Sequence, residues 1–473
     1  MRIIGRVREQ AELCRFYESS EAEFVVVYGR RRVGKTFLVR EYFQDRIVFS
    51  FTGLAQDDLS SQLRNFNDAV SRQFTNDLPP AKDWFEAFNI VRDQLELIPS
   101  HQGKKKVVFI DEMPWIDTPR SGFITALEHF WNGWGAAQSD LLLIVCGSAT
   151  SWIVRKLLQN RHGLHNRVTG RILLTPFTLH ECEEYFHEAG IRYERKQIVE
   201  CYMIFGGIPF YLRQMVKGLS LAQNVDRLCF DPGAPLAGEF EELYHSLFRN
   251  PDRHIDVIRT LAKKMKGMTR GEIVQAAKLD SGGTLTETLR ELEQCGFILK
   301  YRDFTLPKNG HYYRVVDSFS LFYLRFIEGA VQGGNGHWTS QSGTAMSSAW
   351  SGFSFELVCL LHVDQIKQKL GIAGVEAQVS SWRSKTSDPG AQIDLVIDRR
   401  DQVINLCEIK FSQSEFVIDK KYAGILQNKV DAFVSETGTH KDTHLTLVTT
   451  FGVKPNSYSY LAQSQVTLQD LFV

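Results

Sequence analysis

From the first residue to about residue 180, short β-rich apolar runs alternate with amphipathic helical stretches. The runs fall at 24–28, 47–51, 107–110, 141–145 and 171–174. Each is apolar nearly throughout, which marks strands buried on both faces, so the pattern predicts a parallel sheet covered by helices. Between about 180 and 250 the periodicity turns helical, starting at Thr178, where Glu181 three residues on completes a capping-box pattern. Three helical segments follow at 252–265, 269–279 and 284–295. A hairpin then runs out over 297–302 and back over 311–316, turning at Pro307, Lys308, Asn309 and Gly310. Three helices with a two-stranded wing describe a winged helix.

The Gly-, Ser- and Thr-rich stretch 332–351 has the composition of a linker. Beyond it the pattern predicts a helix at 353–370, strands at 392–398, 403–411 and 444–450, and a helix near 419–436. The expected organisation is an α/β core over 1–180, a helical lid over 181–250, a winged helix over 251–331, a linker over 332–351 and a small α/β domain over 352–473.

Composition changes this picture little. The chain has 473 residues, and its 55 Lys+Arg balance 55 Asp+Glu, so any nucleic-acid contact must come from local patches. No apolar run approaches the ~20 residues that span a bilayer, and the start lacks a signal-peptide core, so no membrane role and a cytoplasmic location are expected. The eight cysteines show no paired CxxC spacing that would argue for zinc.

The chemistry begins after the first strand, in Gly29-Arg30-Arg31-Arg32-Val33-Gly34-Lys35-Thr36. This spacing is a P-loop: backbone N–H groups surround phosphates, Gly29 and Gly34 permit the tight path, Lys35 reaches the β- and γ-phosphates, and the Thr36 hydroxyl ligates Mg²⁺. ATP with Mg²⁺ is the expected ligand. The strand at 107–110 ends in Asp111-Glu112; placed beside the P-loop strand, Asp111 is expected to hold Mg²⁺ and Glu112 to polarise the attacking water. Ser148, after the next strand, is expected either to sense the γ-phosphate or to cap the helix beginning near Trp152. Arg167 or Arg171 could supply the cation that stabilises transferring phosphoryl charge, from the same or a neighbouring subunit; a homo-oligomer is expected, and in the second case one that forms with ATP.

Together, Ile4-Gly5-Arg6 with Glu9, the P-loop, 109–112, Gly147-Ser148, Gly170-Arg171 before 174–177, and Gly206-Gly207-Ile208-Pro209 resemble archaeal-type AAA+/STAND-like ATPases over about residues 1–240. The resemblance implies that Gly5 and Arg6 lie near the adenine and that Pro209 closes over the nucleotide from the helical lid.

In the winged helix, the helix at 284–295 occupies the position of a DNA-recognition helix, yet it carries Arg290 against Glu287, Glu291 and Glu293. Basic residues stand instead at Lys263, Lys264, Lys266 and Arg270, and in the wing at Lys300, Arg302 and Lys308. The domain reads as an interaction module or as a binder of DNA phosphates.

In the last domain, strand residues two apart share a face, so Glu408 and Lys410 project together and Asp394 on the neighbouring strand can meet them. Two carboxylates can hold a divalent metal, a lysine beside them can position or deprotonate water, and Glu356 could complete the metal shell. This arrangement is similar to the PD-(D/E)xK nuclease superfamily over about 350–450, although Ile393 stands where a proline usually precedes the first aspartate. The resemblance implies a restriction-endonuclease-like fold using Mg²⁺ or Mn²⁺ on nucleic acid, DNA favoured. Two alternatives remain: these residues lie on a solvated sheet edge, or the fold has lost catalysis and serves as a binding surface. The combined expectation is an ATPase controlling a nuclease, an arrangement suited by analogy to defence against foreign DNA, or an ATP-driven signalling and assembly switch.

Overall fold

The structure is a computed structural model. It describes residues 2–473 apart from 56, 75–77, 101–103, 160–163, 165, 249, 305–309, 331–335, 342–343 and 385–389. The chain divides into two compact units, Met1–Pro176 and Phe177–Val473.

The first unit is built on five parallel strands: β1 (Glu23–Tyr28), β2 (Ile47–Thr52), β3 (Lys106–Asp111), β4 (Leu141–Gly147) and β5 (Gly170–Leu173), in the order β2-β3-β4-β1-β5. All seven residues of β4 are buried. Alternate side chains leave opposite faces of a strand, so burial of both Val25 and Val26, and of both Ile144 and Val145, means the sheet is covered on both sides. One face packs on the helices Leu59–Gln73, Trp84–Leu97 and Phe123–Gly133 through Phe66, Trp84, Phe88 and Phe123. The Trp84 ring meets Phe123 edge-on at 5.0 Å; truncating it to alanine should cost roughly 3–5 kcal/mol.

The strand order corrects one expectation. β3 is not beside β1, because β4 lies between them. A crossover joining strands that are not neighbours leaves no local signal in the chain.

In the second unit the helix Leu179–Glu188 starts at the capping box of Thr178 and Glu181. The helices Pro251–Lys263, Arg270–Ala277 and Gly283–Gln294 precede β7 (Ile298–Asp303) and β8 (Tyr312–Val315), and the two-residue strand β6 (Met268–Thr269) pairs with β8. The turn expected at Pro307, Lys308 and Asn309 lies outside the described residues. Later strands are β9 (Ala377–Arg383), β10 (Gln392–Arg399), β11 (Val403–Lys410), β12 (Asp442–Thr449) and β13 (Ser464–Thr467), with the helix Lys420–Thr437 between β11 and β12.

Two features depart from the expected division. First, the hairpin and the last domain share one eight-stranded sheet, β13-β12-β11-β10-β9-β7-β8-β6. β7 runs parallel to β9, with Arg302 opposite Ser380 and Asp303 opposite Ser381. A hairpin edge exposes backbone donors and acceptors that a second edge can satisfy, which the segment patterns do not reveal. Second, most of the expected linker at 332–351 is helical. Residues 332–335 and 342–343 lie outside the described set, but His337–Gln341 and Ala345–Leu361 are helices. Thr344 caps the second by accepting from the Ser347 N–H, and Trp338 and Trp350 pack against Phe326 at 4.9 and 5.4 Å. These aromatic anchors outweigh the Gly/Ser composition. Among the described residues no helix is long and apolar enough to cross a membrane.

Candidate functional site

The loop from Gly29 to Gly34 joins β1 to the helix Lys35–Phe43. Gly29 has φ +144°, and a Cβ there would lie 2.1 Å from the Leu174 carbonyl oxygen, so both backbone and space require glycine. Gly34 caps the helix at φ +93°, and Arg32 has φ +72°. Arg30 and Val33 are buried, while Arg31 is half-buried. A non-glycine residue held at positive φ is uncommon and marks a loop shaped by more than local preference.

Lys35 is buried and its ammonium donates to the carbonyls of Gly29 and Arg30 at 3.0 and 2.8 Å, folding back over the loop. The Thr36 hydroxyl donates to Asp111 Oδ2 at 2.9 Å. These are hard oxygens at the end of a buried strand, a donor set that fits Mg²⁺. Asp111 Oδ1 also accepts from the Glu112 N–H at 3.0 Å, which holds its carboxylate in place. Thr36 thus reaches Asp111 although β4 separates β3 from β1, the strand that leads into the loop.

Glu112 stands at φ 48° in the left-handed region. Its Oε2 accepts from the Ser148 hydroxyl at 2.9 Å and from the Ser148 N–H at 3.3 Å. The Ser148 side chain makes no cap bond to the short helix Thr150–Ile153, whose N-cap is Ala149. Ser148 is therefore a partner of Glu112 and not the helix cap.

Arg6, also in the left-handed region at φ 54°, is 5% exposed; its guanidinium donates to the Val33 carbonyl at 3.3 Å and pairs with Glu9 at 3.7 Å. Gly5 lies beside it at φ 59°, its carbonyl accepting from Gln10 at 2.8 Å. Arg167 and Arg171 are both exposed, Arg171 on the edge strand β5 opposite Val26. Pro209 opens the short helix Pro209–Leu212 in the second unit.

That second unit holds the other group of charged residues. The antiparallel register, Leu395 opposite Cys407, brings Asp394 level with Glu408, and Asp394 Oδ2 accepts from the Ile409 N–H at 3.3 Å. Glu408 is 2% exposed on a strand flanked by β10 and β12, so the solvated-edge alternative is excluded. Lys410 meets it at 2.8 Å. Sequence reasoning missed two further partners: Tyr422 and Lys429 donate to Glu408 at 2.7 and 2.6 Å from the helix Lys420–Thr437. Tyr422, Leu426, Lys429 and Phe433 fall on one helical face whose Leu426 and Phe433 are buried. Polar residues on a buried stripe need a partner, and that was the available signal.

The electrostatics divide the carboxylates. Burial pushes the Asp394 carboxyl up, and the charge of Glu408 adds to it. Burial acts the same way on Glu408, but the charges of Lys410 and Lys429 outweigh it and hold Glu408 low. Glu356 pairs with Arg314 at 3.8 Å. Burial, with the charge of Asp394, raises its carboxyl to about 7. Burial works against the Lys410 ammonium, but Glu408 raises it overall. Lys410 therefore keeps its proton at neutral pH, so of the two roles expected for it, positioning fits and deprotonating water does not.

The expected three-carboxylate shell of Glu356, Asp394 and Glu408 is not assembled. Among the described residues no three or more His, Cys, Asp or Glu side chains stand where they could hold a metal. The reason is that both oxygens of Glu408 already face lysines. The donor set that fits a hard cation is the pair Asp394 and Glu408.

Comparison with known proteins bears on the whole chain. It is 24% identical over 415 residues to an uncharacterized protein of Methanocaldococcus jannaschii, covering 86% of this chain and 87% of that one. That span is longer than either compact unit, so the similarity enters both. Among solved structures, the chain is similar to a Walker-type ATPase of Pyrococcus abyssi at 19% identity, covering 68% of this chain and 96% of that one with a TM-score of 0.49. It is similar also to the ORC2 protein of Aeropyrum pernix at 14% identity, covering 73% and 96% with a TM-score of 0.40. Residues 4–215, which take in the P-loop, Asp111, Glu112, Ser148 and Pro209, match the family described as an ATPase domain predominantly from Archaea.

Proposed function

We propose that Mg²⁺-dependent ATP hydrolysis in the first unit controls cleavage of nucleic acid by the second. In the first unit, Lys35 leaves the carbonyls of Gly29 and Arg30 for the β- and γ-phosphates, while the N–H groups of the loop hold their oxygens. Mg²⁺, held by Thr36 and Asp111, would neutralise phosphate charge. Glu112 takes a proton from the water that attacks the γ-phosphorus as the bond to the bridging oxygen breaks and ADP leaves. Ser148 holds the Glu112 carboxylate for that task. Arg171, exposed on an edge strand, is available to a neighbouring subunit, and Gly5 and Arg6 take the adenine side that the resemblance to archaeal-type ATPases implies, Arg6 touching the loop at Val33.

The observation that carries the second half is the meeting of Asp394, Glu408 and Lys410 on adjacent strands, Glu408 buried, Asp394 half-buried and the lysine protonated. The order helix, three strands, helix, strand around them also supports a nuclease-like reading. A divalent cation on Asp394 and Glu408 would polarise the phosphodiester and lower the pKa of water. Lys410 orients that water or the phosphate. The test is incubation with labelled single- and double-stranded DNA and RNA, with Mg²⁺, Mn²⁺ or chelator. Metal-dependent cutting that is lost in Asp394→Asn supports the reading.

One observation favours a second reading, a signalling or assembly switch that binds without cutting. Glu408 is already neutralised by Lys410, Lys429 and Tyr422, so a metal must displace a lysine. Absence of cutting with every substrate and metal, with ATP hydrolysis intact, selects it.

A further inference from the structure

Arg314 Nε and Nη2, Ser380 Oγ and Trp382 Nε1 are buried and have no hydrogen-bond partner among the described residues. All three residues line one cavity of about 590 Å³, between the hairpin β7–β8 and strands β9–β10. A buried donor left unsatisfied costs about 1–3 kcal/mol, and more when charged. Residues that carry such groups along one cavity wall point to an acceptor that reaches them when it enters.

Their chemistry says what. Guanidinium and indole N–H groups only donate, and a hydroxyl can donate, so their shared complement is a group that only accepts. Arg314 is 7% exposed. Its nearest carboxylate is Glu356 at 3.8 Å, too far for a hydrogen bond, and its guanidinium lies 4.7 Å from the Phe353 ring centre. Lys300, Arg302 and Arg383 are exposed and line the same cavity, adding cations around its mouth. Tyr301 and Tyr312 lie with ring centres 5.9 Å apart at 23°, an aromatic surface of the kind on which bases stack. Glu356 and Asp394 are on the same walls, so a phosphate bound here would stand next to the proposed cleaving residues.

We infer that this cavity binds a backbone phosphate of a single-stranded nucleic acid, with Arg314 as its buried anion ligand and Lys300 and Arg302 drawing the strand in. A volume near 590 Å³ lies within the ~300–1,000 Å³ of sites for small ligands, which suits one nucleotide of a strand and not a duplex. Because β7 and β8 belong to the winged-helix segment and β9 and β10 to the segment after it, the wing forms one wall of the site. Besides Arg314, the lysines and arginines of this segment that reach the cavity are Lys266, Lys300 and Arg302, on the wing or beside it and not on the helix Gly283–Gln294. The inference rests on the reading of this unit as one that acts on nucleic acid.

The test is fluorescence anisotropy of labelled single-stranded DNA, single-stranded RNA and duplex DNA with the full chain, without ATP and in chelator, so that binding is read apart from cleavage. Arg314→Gln should weaken single-strand binding at least tenfold, and Arg314→Lys should restore most of it. Because Arg314 is buried and Arg314→Gln could disturb folding, Lys300→Gln with Arg302→Gln provides an exposed pair. That pair should also weaken binding and reduce the salt slope by roughly 1.4, about 0.7 per lost phosphate contact. Unchanged affinity in the Lys300/Arg302 pair, equal affinity for duplex and single strand, or no binding by the wild type overturns the inference. Binding that obeys these expectations without cutting in Mn²⁺ upholds it and removes only the cleavage reading. Cutting at the wild-type rate by a folded Arg314→Gln protein removes the inference and leaves the cleavage reading standing.

Discussion

Replacing Ser148 by Ala tests how the ATPase site is wired. In the structure the Ser148 hydroxyl donates to Glu112 Oε2 at 2.9 Å, so among the described residues the substitution leaves that carboxylate the longer bond from the Ser148 N–H at 3.3 Å. A hydrogen bond to a charged group contributes about 1.5–3 kcal/mol. If that energy is spent on aiming Glu112 at the attacking water, kcat falls roughly 10- to 150-fold at about 1.4 kcal/mol per decade. Affinity for ATP relative to ADP stays the same, because the bond does not involve phosphate. A direct contact with the γ-phosphate would instead weaken ATP binding selectively. Phosphate release measures the first quantity and calorimetry the second, with Glu112→Gln as the companion variant. Since Ser148 acts through Glu112, the double variant should be no slower than Glu112→Gln alone. A Ser148→Ala protein with unchanged or raised kcat, or one whose loss multiplies with that of Glu112→Gln, refutes the reasoning.

Gly29→Ala should abolish ATP binding and destabilise the first unit by roughly 2–5 kcal/mol, from backbone strain and the clash with Leu174, as read by calorimetry and thermal unfolding. Glu408→Gln should destabilise by about 3–5 kcal/mol, because it strips charge from the partner of Lys410 and Lys429, and Lys429→Met in the same chain should recover part of it. His362 accepts from the Leu179 N–H at 3.1 Å and burial lowers its pKa from the usual 6.5 to about 4. The unfolded chain therefore binds the extra proton first, and up to roughly 3 kcal/mol of stability present above pH 6.5 is lost as pH falls towards 4; His362→Gln should flatten that slope in pH-dependent melting. Glu356 carries the opposite sign. Its pKa of about 7 is raised above the usual 4.5, so its contribution is intact below pH 4.5 and is lost as pH rises through 7; melting of Glu356→Gln should lack that loss.

Much of the first unit is legible in the chain because its constraints are local. The P-loop needs glycine where φ is positive and space is absent, as at Gly29, and a strand buried on both faces has to be apolar throughout, as β4 is. The pairing of Thr36 with Asp111 follows from the motif, but the insertion of β4 between their strands does not, since parallel order depends on crossovers. In the second unit, alternation places Glu408 and Lys410 on one face, whereas the competition of Lys429 for Glu408 depends on how a distant helix lies on the sheet. The junction of β7 with β9 is equally non-local: Arg302 and Ser380 are matched by two free edges and not by any periodic pattern. Arg314 carried no sequence signal at all, being one basic residue in a short strand, and only the cavity shows it.

The most direct measurement of the central claim is the rate of nucleic-acid cutting by wild type, Glu112→Gln and Asp394→Asn, with Mn²⁺, in the presence of ATP, of ADP and of no nucleotide. Wild-type cutting should change with nucleotide, Asp394→Asn should not cut although it still hydrolyses ATP, and Glu112→Gln given ATP should stay at the ATP-bound level of cutting without passing to the ADP level. Cutting that persists in Asp394→Asn, or that is the same in all three proteins and nucleotide states, would contradict the claim.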